Sequence, residues 1–395
     1  MIEIHGKRNS AVVYAEKIDK AAKTQLAALL RASSCADAKI RVMPDVHAGR
    51  GTLIGLTMTI GQRLNPLLLG MDIGCGMEAV FLEEAELDLP ALDDCIRREI
   101  PCGAKIRSHP LPGAEINYLQ QLHCARVISM DRARRSIGTL GSGNHFIELD
   151  RGEDGRLIML IHSGSRQIGA EAAKYWQEQA NRRMHRKNRQ AIRQASHERR
   201  LDEDEYTSVR VKAQKNSPPH REEAILEGED FRRYCEDVVL LCRFAEENRR
   251  AIADILCRSM KLHIRERFSC VHNYIDTEHG ILRKGAVSAR LGERLLLPLN
   301  MRDGTLLCRG LGNPEWNFSS PHGAGRIASR EDVRHAWTLE QYRSSMEGIF
   351  TTTATAGSLD ECPMAYKAPA DILAHIGETV TVEAHLHPVY NFKAD

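Results

Sequence analysis

The chain has 395 residues, 42% hydrophobic and 27% charged, with a formal net charge of +2. Such a chain can bury a large core, and its composition excludes disordered and fibrous classes. So small a net charge gives no global sign of a nucleic-acid partner, which must be argued from local patches. No apolar run is long enough to span a bilayer, so no membrane partner is expected. The eleven cysteines are odd in number, scattered and without a CxxC pair, which fits reduced thiols rather than a disulfide framework. The opening MIEIHGKRNSAVVYAEK lacks a secretory apolar core, and a cytoplasmic protein is expected.

In chain order, residues 15–32 (AEKIDKAAKTQLAALLRA) place apolar side chains at helical spacing. Short buried strands are expected in GTLIGLTMTI (51–60), RLIMLIHSGS (156–165) and ERLLLPLN (293–300), each running into a loop. From about Ala170 to Leu262 the chain is helix-forming and highly charged. It is broken at NSPPH (216–220), where Pro218 and Pro219 end the first helical stretch. A hairpin of two long helices is the natural picture for residues 170–262, inserted in a mixed α and β body drawn from both ends of the chain. The insertion carries Arg182, Arg183, Arg186, Lys187, Arg189, Arg193, Arg199 and Arg200, which make either a solvated helix face or a phosphate-contacting patch. Near the end, Val380, Val382, Ala384 and Leu386 alternate as in a half-buried strand.

Five loops place His, Cys or Asp beside glycine near the ends of these strands: PDVHAGRGTLIG (44–55), GMDIGCGM (70–77), GSGNHFIE (141–148), IHSGSRQIG (161–169) and PHGAGRIASR (321–330). CVHNYI (270–275) adds a histidine beside Asn273. A lone histidine is usually structural. Together, Asp72, Cys75, His145, His162 and His272 offer one carboxylate, one thiolate and three imidazoles. That set is too rich for one tetrahedral zinc with an open position, and suits two metals with Cys75 between them. Manganese, iron and zinc remain open. Glycine turns let backbone N–H groups converge on an anion, and Arg166 and Arg326 add forked donors for phosphate oxygens. His322, not needed as a ligand and beside such a loop, can serve as a nucleophile toward phosphorus. No GxxxxGK[ST] motif is present, so this is not a P-loop enzyme.

These stretches, with HNY, RKGA (283–286) and ECPMAYK (361–367), resemble in kind and order the RtcB-type RNA ligases, in a divergent bacterial-type form. Those GTP-dependent enzymes join an RNA 3′-phosphate or 2′,3′-cyclic phosphate end to a 5′-hydroxyl. The resemblance runs from about residue 40 to the C-terminus; the first 40 residues and the charged insertion carry little of it. It implies an α+β fold, a mixed β-sheet core flanked by helices, as one catalytic domain over residues 1–395. It implies that Asp72, Cys75, His145, His162 and His272 hold two Mn²⁺ ions, and that His322 is guanylylated by GTP. It places Asp45 at the incoming 5′-hydroxyl and Arg166 and Arg326 at RNA phosphates. Asn144, Glu148, Asn273, Gly323, Ala324, Gly325, Tyr366 and Lys393 fall at nucleotide positions. The implied reaction passes through a histidine-guanylate and an RNA-3′-pp-guanosine on broken tRNA or rRNA, with an archease-like activator as a further partner.

Three departures stand out. Leu299 and Arg302 in PLNMRDG (298–304) replace family glycines near the nucleotide pocket, Ser142 replaces another, and Ala368 stands where an acid is common. They put strict preference for GTP over ATP in question and suggest a paralogue with its own RNA. Two other readings compete: a metal-dependent cyclic phosphodiesterase that does not join ends, and a non-catalytic RNA-binding protein. Activity is expected to fall in mild acid, because Cys75 must be a thiolate and the histidines neutral.

Overall fold

The computed structural model describes residues 1–198 and 224–394. The NSPPH break, Arg199 and Arg200 lie outside the described residues. The fold is α+β. One six-stranded sheet has the order β1 (Ile2–His5), β2 (Ser10–Val13), β3 (Ile40–His47), β4 (Ile54–Thr59), β12 (Ile281–Lys284), β11 (Asn273–Asp276). A seven-stranded sheet has the order β10 (Ile264–Val271), β6 (Gly76–Leu82), β8 (Leu157–Ser163), β7 (Phe146–Arg151), β17 (Val380–Lys393), β15 (Gly304–Gly310), β14 (Arg294–Asn300). Two short pairs, β5 (Arg63–Leu64) with β9 (Leu226–Glu227) and β13 (Ala286–Ser288) with β16 (Ser319–Pro321), complete the strands.

The expected strands are present, with ends set by local chemistry. The helix expected at 15–32 is shorter, α1 (Lys20–Leu29), because Asp19 caps it by accepting from the Ala22 N–H at 2.7 Å. The strand from Val380 runs on to Lys393, so β17 is longer than the sequence pattern suggested, and the expected alternation fails in it: Val382 is exposed and residues 390–393 are all buried. All eleven cysteines are free thiols. Among the described residues no helix is long and apolar enough to cross a membrane.

The larger sheet curls until its edge strands β10 and β14 touch. Inside the curl, Met77, Phe81, Phe146, Leu160, Leu296 and Leu307 pack into one cluster. Helices α2 (Leu89–Glu99) and α5 (Glu229–Met260) cover the outer side, α3 (Met130–Ser136) and α4 (Arg166–Glu198) pack into the core of the smaller sheet, and α6 (Arg330–Ala336), α7 (Leu339–Ser345) and α8 (Pro369–Ile376) follow later in the chain. The charged segment is not a separate arm at its C-terminal helix. Val238, Leu241 and Phe244 of α5 enter the core beneath the smaller sheet, and Ile252, Ala253 and Leu256 enter the core of the larger one.

Candidate active site

Antiparallel pairing in the larger sheet brings alternate strand ends to one rim. Val271 pairs with Gly76, Gly76 with Ser163, Phe146 with His162, and Lys393 with Phe146. His272, Cys75, His162, His145 and Lys393 therefore share one row, although 318 positions separate Cys75 from Lys393. No local pattern in the chain encodes that.

The ligand atoms of Cys75, His162 and His272 all lie within 4.8 Å of one another. Cys75 Sγ is 3.3 Å from His162 Nε2 and 3.7 Å from His145 Nε2, and His162 Nε2 is 3.3 Å from His272 Nε2. Nδ1 of His145 donates to the Leu140 carbonyl at 2.8 Å, and Nδ1 of His162 to that of Asn144 at 3.1 Å. Each bond leaves the Nε2 lone pair facing Cys75, as metal-bound imidazoles require. Burial pushes the Cys75 thiol up to about 12, with the Asp72 charge adding to it. Burial also drives His145 down to about 3, helped by Arg166, and holds His162 and His272 well below the usual range. Without a cation the cluster is therefore a buried set of neutral donors, with lone pairs aimed at one another. A divalent cation fits it. Asp72 is exposed and stands outside the tight group, but in the same turn: its carbonyl accepts from the Cys75 N–H at 3.1 Å.

His322 adjoins this cluster, its ring 4.8 Å from that of His272. Asp45, wholly buried at the end of β3, accepts through Oδ2 from His322 Nδ1 at 2.6 Å and from the His322 N–H at 3.1 Å. The carboxylate thus fixes one tautomer and leaves Nε2 with the free lone pair. The close approach requires Gly325, at φ +74°, since a Cβ there would lie 2.2 Å from the Asp45 carbonyl oxygen.

Two regions of a tRNA-splicing ligase RtcB family model match this chain, residues 25–123 and 115–394. The RNA-splicing ligase RtcB of Escherichia coli K12 is 30% identical over 384 residues, 87% of either chain. The tRNA-splicing ligase RtcB of Aeropyrum pernix is 24% identical, over 86% of this chain and 84% of its own. The RNA-splicing ligase RtcB of Mycobacterium tuberculosis is 26% identical, over 84% and 90%. The chain belongs to the RtcB family.

The other residues expected at an RtcB site have mixed placements. Arg166 lies beside the cluster at the start of α4, but its Nε donates to Thr139 Oγ1 (3.0 Å) and its Nη2 to the Gly103 carbonyl (3.2 Å). Asn273 donates to the carbonyls of Leu69 (3.3 Å) and Asp72 (2.9 Å), so in this structure its amide shapes the loop holding Asp72 and Cys75. Glu148 is buried inside the curl, where Asn391 donates to it at 2.5 Å; burial raises its carboxyl to about 7. Asn144 is exposed, with its carbonyl 3.5 Å from Lys393 Nζ. Gly323 and Ala324 follow His322 against β14, where the Ala324 N–H donates to the Pro298 carbonyl at 3.1 Å. Arg326 and Tyr366 turn toward Glu361.

One expectation is corrected, and one loop is placed. The glycines of GMDIGCGM do not all make room for a ligand: a Cβ on Gly74 would lie 2.9 Å from the Cys242 backbone, and one on Gly76 2.3 Å from the Cys270 carbonyl oxygen. They let α5 and β10 approach. In PLNMRDG, Leu299 is 1% exposed in an apolar cluster with Leu297, Leu306 and Ile372, while Arg302 is exposed and pairs with Asp303.

The sequence reading missed Arg249, Lys284 and Glu361. Arg249 of α5 is wholly buried and donates to the carbonyls of Gly74 and Ser163, both at 3.0 Å, tying together the loops of Cys75 and His162. Lys284 donates to the Arg50 carbonyl at 2.7 Å, and burial lowers it to about 8 against the pull of Asp72. Its place in RKGA was a signal. Arg249 lay hidden in a charged run.

Proposed function

We propose that the protein is an RNA ligase that joins 3′-phosphate or 2′,3′-cyclic phosphate ends to 5′-hydroxyl ends, using GTP and Mn²⁺, in cytoplasmic RNA repair or tRNA processing. The observation that carries this reading is His322, held through Nδ1 by buried Asp45 beside the Cys75, His162 and His272 cluster in an RtcB-family chain. Cys75, His145, His162, His272 and the adjacent Asp72 would hold two Mn²⁺ ions. When bound, these would neutralise charge on phosphate oxygens.

His322 Nε2 attacks the α-phosphorus of GTP; a P–N bond forms and pyrophosphate leaves. Asp45 holds the Nδ1 proton and favours the cationic imidazole that develops. The guanylate passes to the RNA 3′-phosphate, giving RNA-3′-pp-guanosine and free His322. The 5′-hydroxyl then attacks the activated phosphorus and GMP leaves. Among the described residues Asp45 Oδ1 has no hydrogen-bond partner, which leaves an acceptor for the hydroxyl proton. Glu148, Asn144, Tyr366 and Lys393, with the 323–325 loop, are the residues for the nucleotide. Arg166 and Arg326 are those for RNA phosphate. An archease-like activator belongs to this reading as well.

The test is incubation with α-labelled GTP and Mn²⁺, then denaturing gel and mass spectrometry. Label on His322, absent in His322→Ala, is the expected result, and His322→Ala should then join no ends. A metal-loaded protein that takes no label from GTP or ATP, yet opens cyclic phosphates in His322→Ala, would instead be a phosphodiesterase.

A further inference from the structure

Glu361 stands where the loop after His322 meets the end of β17, and it is 2% exposed. Its Oε1 accepts from Arg326 Nη1 at 3.3 Å and from Arg330, and its Oε2 from Lys393 Nζ at 3.2 Å and from the Tyr366 hydroxyl. Four donors fill the acceptor capacity of one carboxylate. Burial alone would raise its pKa, but Lys393, Arg330 and Arg326 hold it below the ordinary glutamate value.

The partners reach both sides of the site. Arg326 lies four residues after His322, and its Nη2 is tied to the Asp360 carbonyl at 2.6 Å. Lys393 lies 5.1 Å from the centre of the Phe146 ring, next to the row that carries His145 and His162. The guanidinium of Arg326 also lies 5.5 Å from the centre of the Tyr366 ring. A single carboxylate thus joins the nucleophile's loop to the terminal strand. It faces three cations, one of which, Arg330, it shares with Asp360 at 2.5 Å. With Arg334 also on Asp360, four cations face two carboxylates, and that excess suits an anionic ligand.

We infer that Glu361 is a positioning residue for a nucleoside triphosphate. It holds Tyr366 and Lys393, the residues for the nucleotide, at a fixed spacing from Arg326 in the loop after His322, so that the base and the α-phosphorus are presented to His322 together. The inference rests on the guanylylation reading above. Without the Glu361 charge, three cations lose their shared partner and separate, and the loss falls on nucleotide binding rather than on the attack by His322.

Glu361→Gln keeps the volume and removes the charge; Tyr366→Phe keeps the ring and removes one donor to the carboxylate. Covalent labelling rates are measured against GTP concentration, and again with ATP and ITP, normalised to folded protein by thermal melting. Glu361→Gln should raise the KM for GTP by roughly tenfold or more and narrow the preference for GTP over ATP, with kcat within about threefold. Tyr366→Phe should raise KM by about threefold. Combining Glu361→Gln with Lys393→Met should cost less than the two separately, since they remove one contact. An unchanged KM and base preference in both single variants, even with a lower melting temperature, would reduce Glu361 to a structural residue and overturn the inference. Fully additive costs would also overturn it. If the wild-type chain takes no label from GTP, the ligase reading falls and this inference falls with it.

Discussion

His145 and His162 each commit Nδ1–H to a backbone carbonyl, and burial keeps both rings neutral far into acid. This changes the expected pH behaviour. From ordinary histidines one would expect metal to leave as the rings protonate below pH ~6.5. In this site the His145 value is about 3, and His162 and His272 are well below the usual range. Cys75, raised to about 12, holds its proton across the whole working range until a cation displaces it. A raised thiol means one proton released when the first cation binds, so the affinity for that cation should rise about tenfold per pH unit. Lowered histidines add nothing above their folded values. Manganese titrations of chelator-stripped protein between pH 5 and 8 should give a log-affinity slope of about one, with one proton released. A slope that steepens below pH 6.5 would mean the histidines titrate normally and the cluster is more open than its burial indicates. The sequence had named the acid-sensitive groups, but it could not tell that burial makes the thiol the controlling one.

Among elements, strands and loops were legible to different depths. Strands β4, β8 and β14 fell within the expected apolar runs, because a run of buried residues ending in a turn is a local signal. The ligand loops were legible because glycine beside His, Cys or Asp is also local. That His272, Cys75, His162 and Lys393 share one row depends on pairings between distant strands, which no window of sequence contains. Helix α5 falls within the expected helical stretch, but its buried face was hard to read for another reason. Leu241, Ala245, Arg249, Ile252 and Leu256 form one buried stripe at spacings of four and three, but Arg249 sits in the middle of it and Asn248 beside it. Both do polar work inside: Asn248 accepts from the Gly138 N–H at 2.9 Å, and Arg249 caps the carbonyls beside Cys75 and His162. Arg249→Met should therefore leave those carbonyls unpaired, cost on the order of 3 kcal/mol of stability, and weaken manganese binding. Denaturant melts with and without Mn²⁺ measure both. Unchanged stability and metal affinity would mean the loops around Cys75 hold their shape without α5.

For the whole molecule, the open matter is how a long polyanion reaches a site buried at the rim of a curled sheet. Helix α4 begins at Arg166, beside the cluster, and its basic residues divide by face. Arg183 pairs with Glu227 (2.7 Å) and Asp230 (3.2 Å), and Lys187 with Glu227 (2.5 Å), so these two fasten α4 to β9 and the start of α5. Arg182, Arg186, Arg189 and Arg193, spaced four, three and four apart, fall on a different, exposed face, where Arg182 pairs with Glu178 at 4.0 Å. At 1.5 Å per residue this stripe starts roughly 24 Å along the helix from Arg166. A nucleotide at His322 does not span that distance; an RNA strand can. Changing Arg186, Arg189 and Arg193 to alanine should weaken RNA binding and lower the salt slope of log affinity by about 2, near 0.7 per lost phosphate contact on a single strand. On the proposed mechanism, labelling of His322 by GTP needs no RNA and should proceed at the wild-type rate. Arg183→Ala should do the reverse, lowering the melting temperature with little change in the salt slope. An unaltered salt slope in the triple variant would make the stripe a solvated helix face, and RNA would have to approach by the Arg166 and Lys284 side of the cluster instead.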